Sequence, residues 1–158
     1  MRTNTKSTGK FKVGFVKKTN GQQKKHISQM DELEVSTILR RVKRIPNLFL
    51  SDHAVRKIKQ DGLKFSYDQI VDLLLNVSEE NIIEYNRTTR YGKEEQRVLL
   101  RSTVSYPVDI KGVGVVDCNI CYVLSLNTGS IVTAYWNQDS DAHETIIWSR
   151  YDATLEVV

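Results

Sequence analysis

From Asp31 onward the apolar side chains recur first with a helical period and then, after about Asn76, with a period of two. Between Asp31 and Arg44, the residues Val35, Ile38, Leu39 and Val42 fall on one stripe, the spacing a helix needs to bury one side. Asp31, Glu32 and Glu34 occupy its first turns and Arg40, Arg41, Lys43 and Arg44 its last, which matches the helix dipole. That ordering accounts for the basic cluster through helix stability alone. Pro46 ends the helix. A second helix is expected over Asp52–Gln60, with Ser51 or Asp52 as its N-cap and Asp61-Gly62 as its stop. A third begins at Ser66, with Gln69 at the capping-box position, and buries Tyr67, Ile70, Val71 and Leu74.

The alternating half predicts strands at 81–87, 96–102, 118–126 and 130–137, with turns near Tyr91-Gly92 and at Asn127-Thr128-Gly129. In the last strand Val132, Ala134 and Trp136 form the set expected to face the helices. Ile131, Thr133, Tyr135 and Asn137 form the other. In 96–102, Val98 and Leu100 are expected inside, which puts Arg97 and Arg101 on the face that carries Tyr135. Thr103–Asp117 reads as an insertion, a protruding loop or short hairpin. Residues 143–150 read equally as a strand or a short helix. This order predicts one α+β domain over residues 28–158. Its N-terminal helices, 31–44 and 66–75, pack on one face of a roughly four-stranded antiparallel sheet.

Length and composition change this picture little. The chain has 158 residues, 40% of them hydrophobic, enough for a core. No run approaches the ~20 apolar residues of a membrane span. The first residues hold Lys and Arg without an apolar stretch, so no secretory signal is expected, and a cytoplasmic location without membrane contact is. Charge says more. The net +4 is unevenly spread: residues 1–30 hold eight basic residues and no acid, and the rest holds 15 basic against 19 acidic residues. Residues 1–27 therefore read as a basic flexible arm, although Phe11, Val13 and Phe15 alternate as in a strand at 10–17, which Gly14 weakens. Lys10, Lys12, Lys17, Lys18, Lys24 and Lys25, with Arg97 from the sheet, are the candidate contacts to nucleic acid. A solvated tail that aids solubility is the plainer reading of the same lysines.

Cys118 and Cys121 lie three apart in an expected strand, so they point to opposite faces. A zinc site would need two more ligands from His26, His53 and His143, and their spacing gives no support. Packing cysteines, no metal and no cofactor are expected.

The residues richest in chemistry are the helix start Ser51-Asp52-His53-Ala54-Val55-Arg56 and the strand end Thr133-Ala134-Tyr135-Trp136. An imidazole titrates near neutrality and serves as base or acid. A guanidinium stabilises a pentavalent phosphorane. A phenol orients or donates, but its pKa of about 10 makes it a poor base. RNA cleavage by the 2′-hydroxyl needs these groups and no metal. His53, Arg56, Arg101 and Tyr135 are accordingly the catalytic candidates. Each has a plainer role: His53 in a first helical turn, Arg56 paired with Asp52 on a helix surface, Tyr135 in sheet packing.

Residues Ser51–Trp136 resemble a small bacterial and phage domain marked by an H-A-x-x-R helix, a second helix and strands ending in a T-x-Y-W-like motif. That domain is grouped with the barnase–EndoU–colicin–RelE superfamily of metal-independent ribonucleases, many of them toxins. The resemblance rests on His53-Ala54-Val55-Arg56, Ile70-Val71-Asp72-Leu73, Tyr85 and Thr133-Ala134-Tyr135-Trp136. The chain departs from the pattern at Gln60-Asp61, where a second basic residue is usual, in the Thr103–Asp117 insertion, and over its first 50 residues. The resemblance implies a metal-independent RNA-cleaving or RNA-binding, toxin-like protein, with an inhibitor or host protein as a further partner. The alternative, to which the acidic body points, is a non-enzymatic phage or mobile-element protein that binds and inhibits a host protein or nucleic-acid complex.

Overall fold

A computed structural model describes residues 21–60, 67–141 and 147–158. The expected strand at 10–17, the helix stop at Asp61-Gly62, the helix start at Ser66 and the candidate His143 lie outside the described residues.

The elements in chain order are β1 (Gly21–His26), α1 (Glu32–Lys43), β2 (Phe49–Leu50), α2 (Asp52–Gln60), α3 (Tyr67–Leu75), β3 (Ile82–Arg90), β4 (Lys93–Arg101), β5 (Tyr106–Ile110), β6 (Gly114–Ser125) and β7 (Ser130–Gln138). Single 3-10 turns occupy Ile27–Gln29, Glu79–Asn81 and Trp148–Arg150. The strands form one seven-stranded sheet in the order β1-β3-β4-β6-β7-β2, with β5 paired to β6. All pairs are antiparallel except β2 with β7. The expected four-stranded, wholly antiparallel sheet is therefore corrected to a larger, mixed one. β1 escaped because Gln22, Gln23, Lys24, Lys25 and His26 put polar side chains on both faces. β2 is two residues long, too short to show a period. β5 comes from the Thr103–Asp117 insertion, which folds back as a hairpin on the first half of β6.

α1 begins as its sequence requires. Asp31 Oδ1 accepts from Glu34 N at 2.8 Å, and Glu34 Oε1 accepts from Asp31 N at 3.1 Å, a reciprocal cap. Its stripe Val35, Ile38 and Val42 is buried, as are Ile70, Leu73 and Leu74 of α3. They share one core with Tyr85, Val98, Leu100, Ile120, Tyr122, Leu124 and Ala134 from alternate positions of the strands. Ile131 belongs to the same core, and Val132 does not. The register explains the exchange. Val123 pairs with Thr133 but Leu124 pairs with Ile131, so Val132 is the extra residue of a bulge that flips the parity behind it.

The C-terminal segment folds round the β1 edge. Asp152 N donates to Lys24 O at 2.8 Å, and Leu155 and Val157 enter the core. Lys25 closes this corner from inside. It is 5% exposed, and its Nζ donates to Glu34 Oε2 at 2.7 Å and to Leu155 O at 3.1 Å. An ammonium this deep is tolerable only with such partners. Among the described residues, no helix is long and apolar enough to cross a membrane.

Candidate functional site

The side of the sheet turned away from that core, here the second face, is built by the other parity. Register places Lys24, Asn86, Arg97 and Ser125 in one row across β1, β3, β4 and β6. Arg101, Cys121 and Tyr135 form another row across β4, β6 and β7. Arg97, Arg101 and Tyr135 thus share a face. Much of that face is covered, since Glu84, Asn86, Leu99, Cys121 and Ser125 are all buried.

His53 and Arg56 lie elsewhere. Ser51 caps α2, its Oγ accepting from Ala54 N at 3.0 Å and donating to Val132 O at 3.1 Å. Ala54 is fully buried and Ile58 packs against the core, so α2 lies on the helix side of the sheet. His53 and Arg56 are exposed on its outer surface. Among the described residues no hydrogen bond, ion pair or ring contact joins either of them to Arg101 or Tyr135.

Arg101 is occupied by neutral acceptors. Its Nε donates to Asn119 Oδ1 at 2.9 Å, Nη1 to Asp141 O at 2.7 Å and Nη2 to Gln138 O at 3.1 Å. It acts as a clamp on the chain leaving β7. Beside it, burial pushes the Cys121 thiol up from 9.0 to about 11, against the opposing pull of Arg101 and of a hydrogen bond with Tyr135. Burial also raises Tyr135, and charge on Cys121 and Glu84 raises it further. The phenol is a donor at any physiological pH and not a base.

The Cys121 shift has a measurable consequence. The folded thiol ionises later than the unfolded one, so its contribution to stability is complete below about pH 8.5 and is lost as pH climbs toward 11. Urea midpoints should therefore fall steeply between pH 9 and 10, with about 3 kcal/mol lost over the whole window. Cys121→Ala should flatten that slope. A fall as steep in the variant as in the parent would show that the thiol is not the group titrating.

A second polar cluster sits near the β1 edge. Glu84 accepts from Tyr151 Oη at 2.6 Å and from Asn86 Nδ2 at 2.9 Å. Lys24 Nζ lies 3.5 Å from Glu84 Oε2 and 5.8 Å from the centre of the Tyr151 ring. These contacts fasten the C-terminal segment to β1 and β3. Lys24 serves them, as Lys25 serves the core.

Two exposed cations flank a turn at the opposite end of the strands. β3 and β4 are joined by the tight turn Arg90-Tyr91-Gly92-Lys93, with φ of 53° at Tyr91 and 75° at Gly92. Two successive positive φ values are the turn that suits the twist of a hairpin. Asn or Gly normally takes the first of these positions; a bulky side chain there is an outlier. Tyr91 is 86% exposed, and Arg90 and Lys93 on either side are exposed too. Arg97 follows on the same face, paired with Glu95. β1 ends beside this turn, with Gly21 opposite Thr89. The acid-free segment that carries Lys10, Lys12, Lys17 and Lys18 therefore joins the fold at this end, although those four lysines lie outside the described residues. Sequence reasoning noted the Tyr91-Gly92 turn but missed its chemistry. The available signal was a basic residue on each side of an aromatic at a turn.

Among the described residues, no group of three or more His, Cys, Asp and Glu is arranged to hold a metal ion. Comparison of the chain with protein-family models, with curated proteins and with solved structures gave no match.

Proposed function

We propose that the protein binds single-stranded nucleic acid, RNA foremost, at the β3–β4 hairpin end of the sheet, with the basic N-terminal segment adding affinity for phosphates. The observation that carries this reading is the convergence at Gly21 and Thr89. The acid-free segment joins the fold beside a turn that holds an exposed Tyr91 between Arg90 and Lys93. Cations neutralise phosphates whatever the sequence. An exposed aromatic ring gives a base something to stack on. The left-handed Tyr91 supports the same reading, since a residue that strains its own turn is a mark of a position kept for function.

Cleavage has weaker support. The imidazole of His53 and the guanidinium of Arg101 lie on different sides of the sheet, the donors of Arg101 are directed at carbonyl oxygens, and Tyr135 stays protonated. Binding without turnover is the reading those placements favour.

Tyr91→Asn separates function from stability. Asn suits the left-handed position, so the melting temperature should rise by about 2–4 °C, the equivalent of about 1 kcal/mol in a domain of this size. The loss of stacking should weaken binding to a fluorescent oligo-uridine by about 5- to 100-fold. A variant that is more stable and binds as tightly as the parent would remove Tyr91 from the interface, and the reading with it.

A further inference from the structure

Two grooves meet at the β3–β4 hairpin. One, of about 480 Å³, runs between the hairpin and the β6–β7 turn, past Glu95, Asn127 and Thr128. The other, of about 400 Å³, runs between the hairpin and β1, past Gln22 and Thr89. Thr88, Arg90, Tyr91 and Arg97 line both, and so form the ridge that divides them. Both volumes lie in the range of pockets that hold a small organic molecule.

The ridge has unmet chemistry. Thr88 Oγ1 is buried without a hydrogen-bond partner. Arg97 donates through Nε to Glu95 and, among the described residues, through no other atom. Arg90 makes no ion pair among the described residues. The unpartnered hydroxyl of Thr88, the guanidinium of Arg90 and the Nη donors of Arg97, whose Nε is held by Glu95, line one ridge and suit an acceptor with several oxygens.

We propose that the ridge seats a single phosphodiester and that each groove takes one of the two nucleosides it links, so that the smallest specific ligand is a dinucleotide. The proposal rests on the single-strand reading above and gives it a site. One non-bridging oxygen accepts from Thr88 Oγ1, and the arginines neutralise the charge. In the β6–β7 groove, Asn127 Oδ1 already accepts from Gln96 N at 2.7 Å, which leaves Nδ2 to donate to a base. Glu95 is taken by Arg97 and by Ser125 Oγ, the latter at 2.9 Å, and serves as wall. In the β1 groove the exposed carboxamide of Gln22 offers both a donor and an acceptor.

The test uses the full chain titrated with uridine monophosphate, the dinucleotide UpU and a UpU analogue whose linkage is an uncharged methylphosphonate, followed by NMR. UpU should bind at least about tenfold tighter than the monophosphate, and the neutral dimer at least about tenfold weaker than UpU, because only the charged linkage meets the ridge. Thr88→Val and Arg90→Ala should each weaken UpU by about fivefold or more, and Arg90→Ala should leave the neutral dimer unchanged. Equal binding of the charged and neutral dimers would overturn the proposal. So would tight binding of a twenty-nucleotide strand with no preference among the three small ligands, an outcome that spares the single-strand reading. Failure of the long strand to bind would end both.

Discussion

Gly129→Ala is expected to remove about 3–5 kcal/mol of folding stability, a large share of what a domain of this size possesses. Two costs combine. Gly129 has a φ of +80°, where an L side chain is strained by about 1–2 kcal/mol. A Cβ there would also lie 2.2 Å from Asn47 O and 2.7 Å from Ile45 Cγ2. Asn47 O is backbone and cannot rotate aside. Relief requires moving the α1–β2 connection, and Phe49 N donates to Gly129 O at 3.2 Å in that connection. The parallel pairing of Phe49 and Leu50 with Ser130 and Ile131 would be lost, and Ser51, which caps α2, follows directly. Gly92→Ala is the control, with a similar φ of +75° and no atom within 4 Å of the added Cβ. It should cost only about 1 kcal/mol. Urea denaturation of both variants measures the difference. Equal losses would mean that the Asn47 contact yields without cost.

The same turn marks what could be read from the chain and what could not. Asn127-Thr128-Gly129 announced a hairpin, and β6 and β7 form it. The stripe and charge order of α1 were legible, because both are encoded within its own residues, although Asp31, read as part of the first turn, is its N-cap, and Leu39 of the stripe is only partly buried. The parity of β4 was legible for the same reason: Val98 and Leu100 point to the core, and Arg97 and Arg101 away from it. What failed depended on distant partners. The pairing of β2 with β7 joins residues about 80 positions apart through a run of two residues, and no local pattern carries it. β1 is specified by the edge of β3 rather than by its own side chains, so Lys24 and Lys25 read as free cations. The structure commits them to Glu84 and Glu34. The bulge at Val132 is similar: one inserted residue exchanges Ile131 for Val132, and only the register reveals it.

The candidate site divides along the same line. The face shared by Arg97, Arg101 and Tyr135 follows from alternation. Whether a guanidinium is available does not, because it depends on which carbonyls lie nearby. Arg101 is turned to Asp141 O and Gln138 O by the path of the chain after β7, a path no spacing rule describes. The exposed pair Arg90 and Lys93 owes its position to the short turn between β3 and β4, where they face each other as the last pair of the hairpin.

Replacing Lys10, Lys12, Lys17 and Lys18 together with Gln is expected to weaken binding of single-stranded RNA by on the order of 10²–10³ at 0.1 M salt. Each phosphate neutralised on a single strand contributes about 0.7 to the slope of log affinity against log salt. Removing four such contacts should reduce the slope by about 2.8, and parent and variant should converge near 1 M salt, where counterion release no longer favours binding. Thermal unfolding of the variant beside the parent separates a loss of contacts to the strand from a loss of fold. Tyr91→Asn makes the comparison informative. Loss of stacking should lower affinity by a similar factor at every salt concentration and leave the slope nearly unchanged. Two variants with distinct signatures, a changed slope in one and a parallel drop in the other, would identify an electrostatic segment and a stacking residue acting on one strand. A slope that stays the same when four positive charges are removed would mean that the N-terminal segment does not touch the nucleic acid, and affinity would then have to come from Arg90, Lys93 and Arg97 alone.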